Sequence, residues 1–385
     1  MDDRIVYFDN AASTYMYDEV IEYVNHINRG FYANASSTHF SGMLSSDKVK
    51  KSKEIICDIL HIKPSNLIFT SGGSESNNFA LKGIAFANLS RNSNIVITAY
   101  EHPSIINTAK YLVKFGFEIR TCPLSADGSI DLDSLENLID ENTILVSTSH
   151  VCSETGALSD ISKISSIVKS ANGKCYYHVD AVQSYGKIKI NLSSLNNVDM
   201  MSFSSHKIHG PKGVGALYVK QNTNIDPFIS GSTNAGLRAG TANVSGICGF
   251  SMASDIIFNR MDIVNEKINH LKQLLIHELL LIDNEILINT PDYSSPYILN
   301  IAFRNIKSEV LLNALSNKGI CVSSGSACTS KNKTSHVLQA MNISKDYIEG
   351  AIRISFSDRN TIDEIKILTE NLSEFIPKLK LFVRR

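Results

Sequence analysis

No stretch of this 385-residue chain approaches the roughly 20 consecutive apolar residues of a membrane helix, so no membrane partner is expected. The opening MDDRIVYFDN is acidic and lacks a basic start and an apolar core, so export is not indicated. Charge excess is missing too. Lys+Arg 37 against Asp+Glu 38 leaves −1, which argues against a generally basic nucleic-acid surface. The seven cysteines, Cys57, Cys122, Cys152, Cys175, Cys248, Cys321 and Cys328, form no CxxC pair and show no metal-ligand spacing. An odd, scattered set of this kind fits free thiols in a reducing cytoplasm, most of them small buried apolar residues. Internal repeats and low-complexity tracts are absent as well.

What is present is a globular composition, with 43% hydrophobic and 19% charged residues. At about 100 to 200 residues per domain, the length predicts two or three domains. Helical periodicity runs over Asp18 to Asn28 and Asp47 to Leu60. Seven short β-rich runs then alternate with helix-like stretches: 67–69, 95–98, 117–120, 144–147, 176–179, 200–203 and 216–219. That alternation predicts an α/β domain with a mainly parallel, covered, seven-stranded sheet. From about residue 258 a long amphipathic helix, three strand-like runs and two further helices predict a smaller α+β domain. The reading is a large domain over 15–257 and a small one formed by 1–14 with 258–385.

Ligands of open α/β sheets collect at the carboxyl ends of the strands. Four segments there carry chemistry. In Thr70-Ser71-Gly72-Gly73-Ser74-Glu75-Ser76, glycines and free helix N–H groups suit a phosphate, although capping alone also explains such a turn. Asp180 closes an apolar strand, where it suits a pyridinium N–H or, more plainly, a helix cap. Lys207 ends the next strand between hydroxyls and histidines, where partial burial would leave its amine nucleophilic. Finally, 322–335 contains no large apolar residue except Val322, so a mobile exposed loop is expected, with Cys328 near Lys331 and Lys333, whose charge favours the thiolate.

Taken in order, YFDNAAST, SSTHFSG, FTSGGSESNN, EHPS, YYHVDAVQS, SFSSHKIHGPKGVGALYV, LRAGT and SSGSACTS resemble the NifS/IscS-like cysteine desulfurases of the class V aminotransferase superfamily. The resemblance spans nearly the whole chain. It implies the fold type I architecture of pyridoxal 5'-phosphate (PLP) enzymes, with PLP as cofactor, a homodimer, and removal of sulfur from L-cysteine to give L-alanine and a persulfide on Cys328. It implies that Lys207 holds PLP through a Schiff base, that Asp180 pairs with the ring nitrogen, that Gln183 contacts the ring hydroxyl, and that His102 stacks on the ring and shuttles protons. Gly73, Ser74, Ser204 and His206 match phosphate-binding positions, and Thr241 a phosphate contact from the other subunit. Arg353 matches the substrate-carboxylate residue. A sulfur-accepting protein, such as an iron–sulfur scaffold or a thiolation enzyme, is the implied partner.

Two places depart from the pattern. Ser153 stands where relatives carry an Asn contacting cofactor and substrate, and 231–236 lacks the Glu and Arg usual before LRAGT. These departures leave open a PLP-dependent lyase or transferase acting on another amino acid, or a weakly active scaffold for a sulfur-accepting partner.

Overall fold

The structure, a computed structural model, describes residues 5–89, 92–231, 236–324 and 334–383. In chain order the strands are β1 (Val6–Tyr7), β2 (Leu67–Thr70), β3 (Asn94–Thr98), β4 (Glu118–Cys122), β5 (Thr143–Ser149), β6 (Tyr176–Asp180), β7 (Met200–Ser204), β8 (Gly215–Val219), β9 (Leu287–Ile288), β10 (Ile298–Ala302), β11 (Ile320–Cys321) and β12 (Ala351–Ser355). The helices are α1 (Asp18–Gly30), α2 (Phe40–Leu60), α3 (Gly73–Ala87), α4 (Pro103–Leu112), α5 (Leu132–Asn137), α6 (Ile161–Ala171), α7 (Val244–Ile282), α8 (Ser308–Ser316), α9 (His336–Ala340), α10 (Lys345–Ile348) and α11 (Ile362–Val383).

Seven strands form one sheet in the order β2-β8-β7-β6-β5-β3-β4. Only β8 runs against its neighbours. Because β2 and β7 are each antiparallel to β8, the ends of β2, β3, β5, β6 and β7 lie along one edge. Successive side chains of a strand face opposite sides, and both sides here are covered. Ile95, Ile97, Leu145, Met200 and Leu217 pack with Phe79, Ile84 and Ile105 of α3 and α4. Val96, Val146, Met201, Ala216 and Tyr218 face the other core, with Ile164 of α6 and Ile247 and Phe250 of α7. Burial on both faces is why these strands read as continuous apolar runs.

A third core gathers Ile298, Ile301, Ile352 and Ile354 of the antiparallel β12-β10-β9 sheet with Leu311, Ile365 and Leu372 of α8 and α11. The parallel β1-β11 pair joins its edge through backbone bridges from Asp9 to Ser355 and from Ser323 to Arg353. Helix α7 serves two of these cores: Ile247, Phe250, Ala253 and Ile257 pack in the one shared with α6, and Val264 to Leu279 in the one shared with α8 and α11. This helix begins at Val244, well before the expected residue 258, with Asn243 Oδ1 accepting from Gly246 N at 3.1 Å as its cap. Helix α2 also starts early, at Phe40, where the His39 imidazole caps it.

The sheet interior holds a buried imidazole with no charge partner among the described residues. His178 is fully buried on β6, with Ser147 Oγ 2.8 Å from Nδ1 and Ser202 Oγ 2.8 Å from Nε2. Burial draws its pKa down to about 3. The unfolded chain therefore binds a proton below about 6.5 that the folded chain refuses. Wild type loses stability on acidification relative to His178→Asn, by about 1.4 kcal/mol for each pH unit below about 6.5. Parallel denaturant titrations of the two proteins at pH 7.5 and 5.5 measure this, and a stability gap that does not change with pH contradicts it.

Candidate active site

The site lies along the strand-end edge. At the end of β2 the chain turns through Gly72, whose φ of +149° is open to glycine and strained for other residues, and enters α3 at Gly73. A Cβ on Gly73 would lie 2.5 Å from Val182 Cγ2, and one on Gly215 2.7 Å from Gly72 Cα. These contacts hold the amino end of α3 against the end of β7. There Ser204 Oγ is buried with no hydrogen-bond partner, and the Ser74 side of the turn is exposed. His206 follows, its Nδ1 3.3 Å from Ser13 Oγ; burial first, then Lys207 and Lys212, lowers it to about 4. Free helix N–H groups, an orphaned hydroxyl and an imidazole form a set that suits a phosphate monoester.

Asp180 ends β6, buried. It accepts from Val182 N at 2.9 Å and from Asn77 Nδ2 at 2.7 Å. Asn77 Nδ2 also donates to Ser104 Oγ at 2.9 Å, and that hydroxyl lies 2.8 Å from His102 Nδ1. His102 caps α4 by accepting from Ser104 N at 3.1 Å. Nδ1 is thus an acceptor, and the neutral ring carries its proton on Nε2. Burial keeps the ring below its ordinary pKa; Asp180 opposes this, and the charges of Lys207 and His336 add to it. A neutral imidazole able to take a proton results.

Lys207 closes a short 3-10 turn after β7, and its Nζ donates to Ala11 O at 2.5 Å and Ala12 O at 2.7 Å. Gln183 Nε2 reaches the same Ala11 carbonyl at 2.9 Å. Arg353, in the middle of β12, is 4% exposed. Its Nη1 donates to Ser153 O at 2.8 Å and its Nη2 to Asp9 Oδ1 at 2.9 Å.

A cavity of about 580 Å³ is lined among others by His102, Ser153, Gln183, Lys207 and Arg353. Two acids line it as well. Glu101 accepts from Thr98 Oγ1 and from Ser149 N and Oγ at 2.8 and 2.7 Å, and burial still pushes it up to about 8. Glu154 is pushed up to about 7 by burial, with Oε1 unpartnered. Not every expected residue lines the cavity: Gly73, Ser74, Asp180, Ser204 and His206 lie outside its lining. Thr241 is exposed and lies outside the lining, and Cys328 falls outside the described residues. On either side of 325–333, Ser323 exchanges backbone bonds with Arg353, while Thr334 and His336 line the cavity.

Asn77, Ser104, Glu101, Glu154 and Asp9 were not singled out from the sequence. Asn77 lies within FTSGGSESNN and Asp9 within YFDNAAST, but their roles depend on partners over 100 positions away.

The arrangement is that of a PLP-type transferase: a buried carboxylate, a lysine amine and a phosphate-type cradle at adjacent strand ends of an α/β sheet. The class-V aminotransferase family matches residues 6–368, and the chain belongs to that family. Within it the chain resembles the "Cysteine desulfurase IscS" proteins of Dictyoglomus turgidum (36% identical, covering 98% of this chain and 96% of that one) and Methanosarcina thermophila (35%, covering 98% and 94%). A solved NifS-like protein superposes with a TM-score of 0.92 at 36% identity, covering 98% of this chain and 100% of that one. A second, from Rickettsia africae, has a TM-score of 0.86 at 30% identity, covering 96% and 99%.

Proposed function

We infer that this protein is a PLP-dependent cysteine desulfurase. The observation that carries the reading is that Lys207, His102 and Arg353 line one cavity, with Asp180 tied to His102 through Asn77 and Ser104, four groups with different chemical tasks. Bound PLP supplies an electron sink for the charge left on the substrate Cα. Asp180, fixed by Asn77 and Val182 N, is the anion that keeps the ring nitrogen protonated. Gly73, Ser74, Ser204 and His206 would hold the phosphate, Gln183 the ring oxygen, and Lys207 the aldehyde end. Arg353, already aimed by Asp9 and Ser153, takes the L-cysteine carboxylate in a two-pronged contact. His102 Nε2 holds and returns protons at the reacting end.

The sulfur goes to Cys328. Its thiolate attacks the substrate sulfur, an S–S bond forms as the carbon–sulfur bond breaks, and a proton on that carbon completes L-alanine. We read the exposed Thr241 as completing the phosphate site of a second copy in a homodimer. An acceptor protein then takes the persulfide sulfur in the cytoplasm.

Incubating the PLP-reconstituted protein with L-cysteine and a reductant should yield L-alanine and sulfide in equal amounts. Pyruvate and ammonia instead of alanine would mean a lyase, and no turnover of cysteine would mean another substrate.

A further inference from the structure

Lys187 follows β6 in the turn that carries Gln183, and the chemistry above leaves it without a task. It is 5% exposed, yet its partners are the Gln183 amide, with Nζ to Oε1 at 3.3 Å, and the Tyr297 ring, 5.4 Å to the centroid. Among the described residues no carboxylate pairs with it, whereas Lys207 and Arg353 add like charge nearby. A buried amine is seldom left without an anion. Burial, then Lys207 and Arg353, lowers it to about 7.

An amine facing an amide can do one thing that no hydrophobic side chain can: it distinguishes the two ends. In its ammonium form a lysine nitrogen only donates, so the end of Gln183 that meets it is the oxygen. That turns Nε2 toward the cavity, where one hydrogen goes to Ala11 O, which also receives Lys207 Nζ, and the second is free for a ligand. Released from Lys187, the amide would keep only the Ala11 carbonyl to hold that orientation. We propose that Lys187 is a positioning residue whose amine locks the Gln183 amide with its N–H end toward the ring oxygen of the cofactor.

This rests on the PLP reading above, and its test separates the two. Wild type, Lys187→Met, Gln183→Met and the double variant are each reconstituted with PLP, and two quantities are read: the ratio of near-ultraviolet to visible cofactor absorption, and the cofactor dissociation rate. Lys187→Met should change both about fivefold or more, in the same direction as Gln183→Met, and the double variant should add nothing to Gln183→Met, as expected of groups acting in one chain. Lys187→Arg, which keeps the donor, should stay within about twofold of wild type, as the donor rule requires. Lys187→Met with wild-type values, or effects that multiply in the double variant, overturn the proposal. If Lys187→Met does not fold, Lys187→Arg decides: wild-type values support the lock, and values like those of Gln183→Met overturn it. A wild type that takes up no cofactor would sink the PLP reading itself.

Discussion

Replacing Lys207 with alanine should abolish the visible absorption of the PLP-reconstituted protein and lower cysteine turnover by about a thousandfold or more, roughly 4 kcal/mol of barrier. The size follows from the residue's two tasks. On the proposed function its amine would be the one covalent anchor for the cofactor and would afterwards serve beside the reacting carbon. It is held in place for both: Nζ donates to the Ala11 and Ala12 carbonyls. Spectra and steady-state rates measure the two losses separately. A variant that kept the wild-type band would show that another amine forms the link, and Lys187, buried alongside, would be the first to examine.

The second large effect should come from Cys328→Ala, with the opposite signature. Cofactor binding and colour should match wild type, while protein-bound persulfide falls to background, a loss of about a hundredfold or more, because the thiolate is the sulfur nucleophile. The other six thiols offer no ready substitute. Burial raises Cys57 to about 11 and Cys122 and Cys175 to about 12, and it raises Cys152, Cys248 and Cys321 too. Each is thus poor in thiolate near neutral pH. Trapping persulfide with a thiol-reactive label after exposure to L-cysteine measures the effect, and labelling of Cys328→Ala at the wild-type level contradicts it.

Much of the sheet was legible because its physics is local. Strands such as β3 and β7, buried on both faces, are apolar throughout, and Asp180 and Lys207 interrupt that pattern at the strand ends where polar groups meet ligands. What escaped depended on distant packing. The start of α7 resembled loop because it holds Gly246 and Gly249. At Gly249 a Cβ would lie 2.5 Å from Pro211 Cγ and 2.6 Å from Val24 Cγ2, so glycine there serves close packing against α1. The Asn77–Ser104 link from Asp180 to His102 joins three segments that no spacing rule connects. Arg353 was expected from the resemblance alone, but Asp9, its partner, comes from the other end of the chain. Lys187 escaped for a different reason: in sequence it looks like any solvated lysine after a turn.

The central claim is the bond between Lys207 and the cofactor. Reducing the PLP-loaded protein with borohydride, digesting it and sequencing the modified peptide by mass spectrometry tests that bond directly. The account predicts a single pyridoxyl-phosphate adduct on Lys207 in the SFSSHKIHGPK segment; an unmodified Lys207, or an adduct on a different lysine, contradicts it.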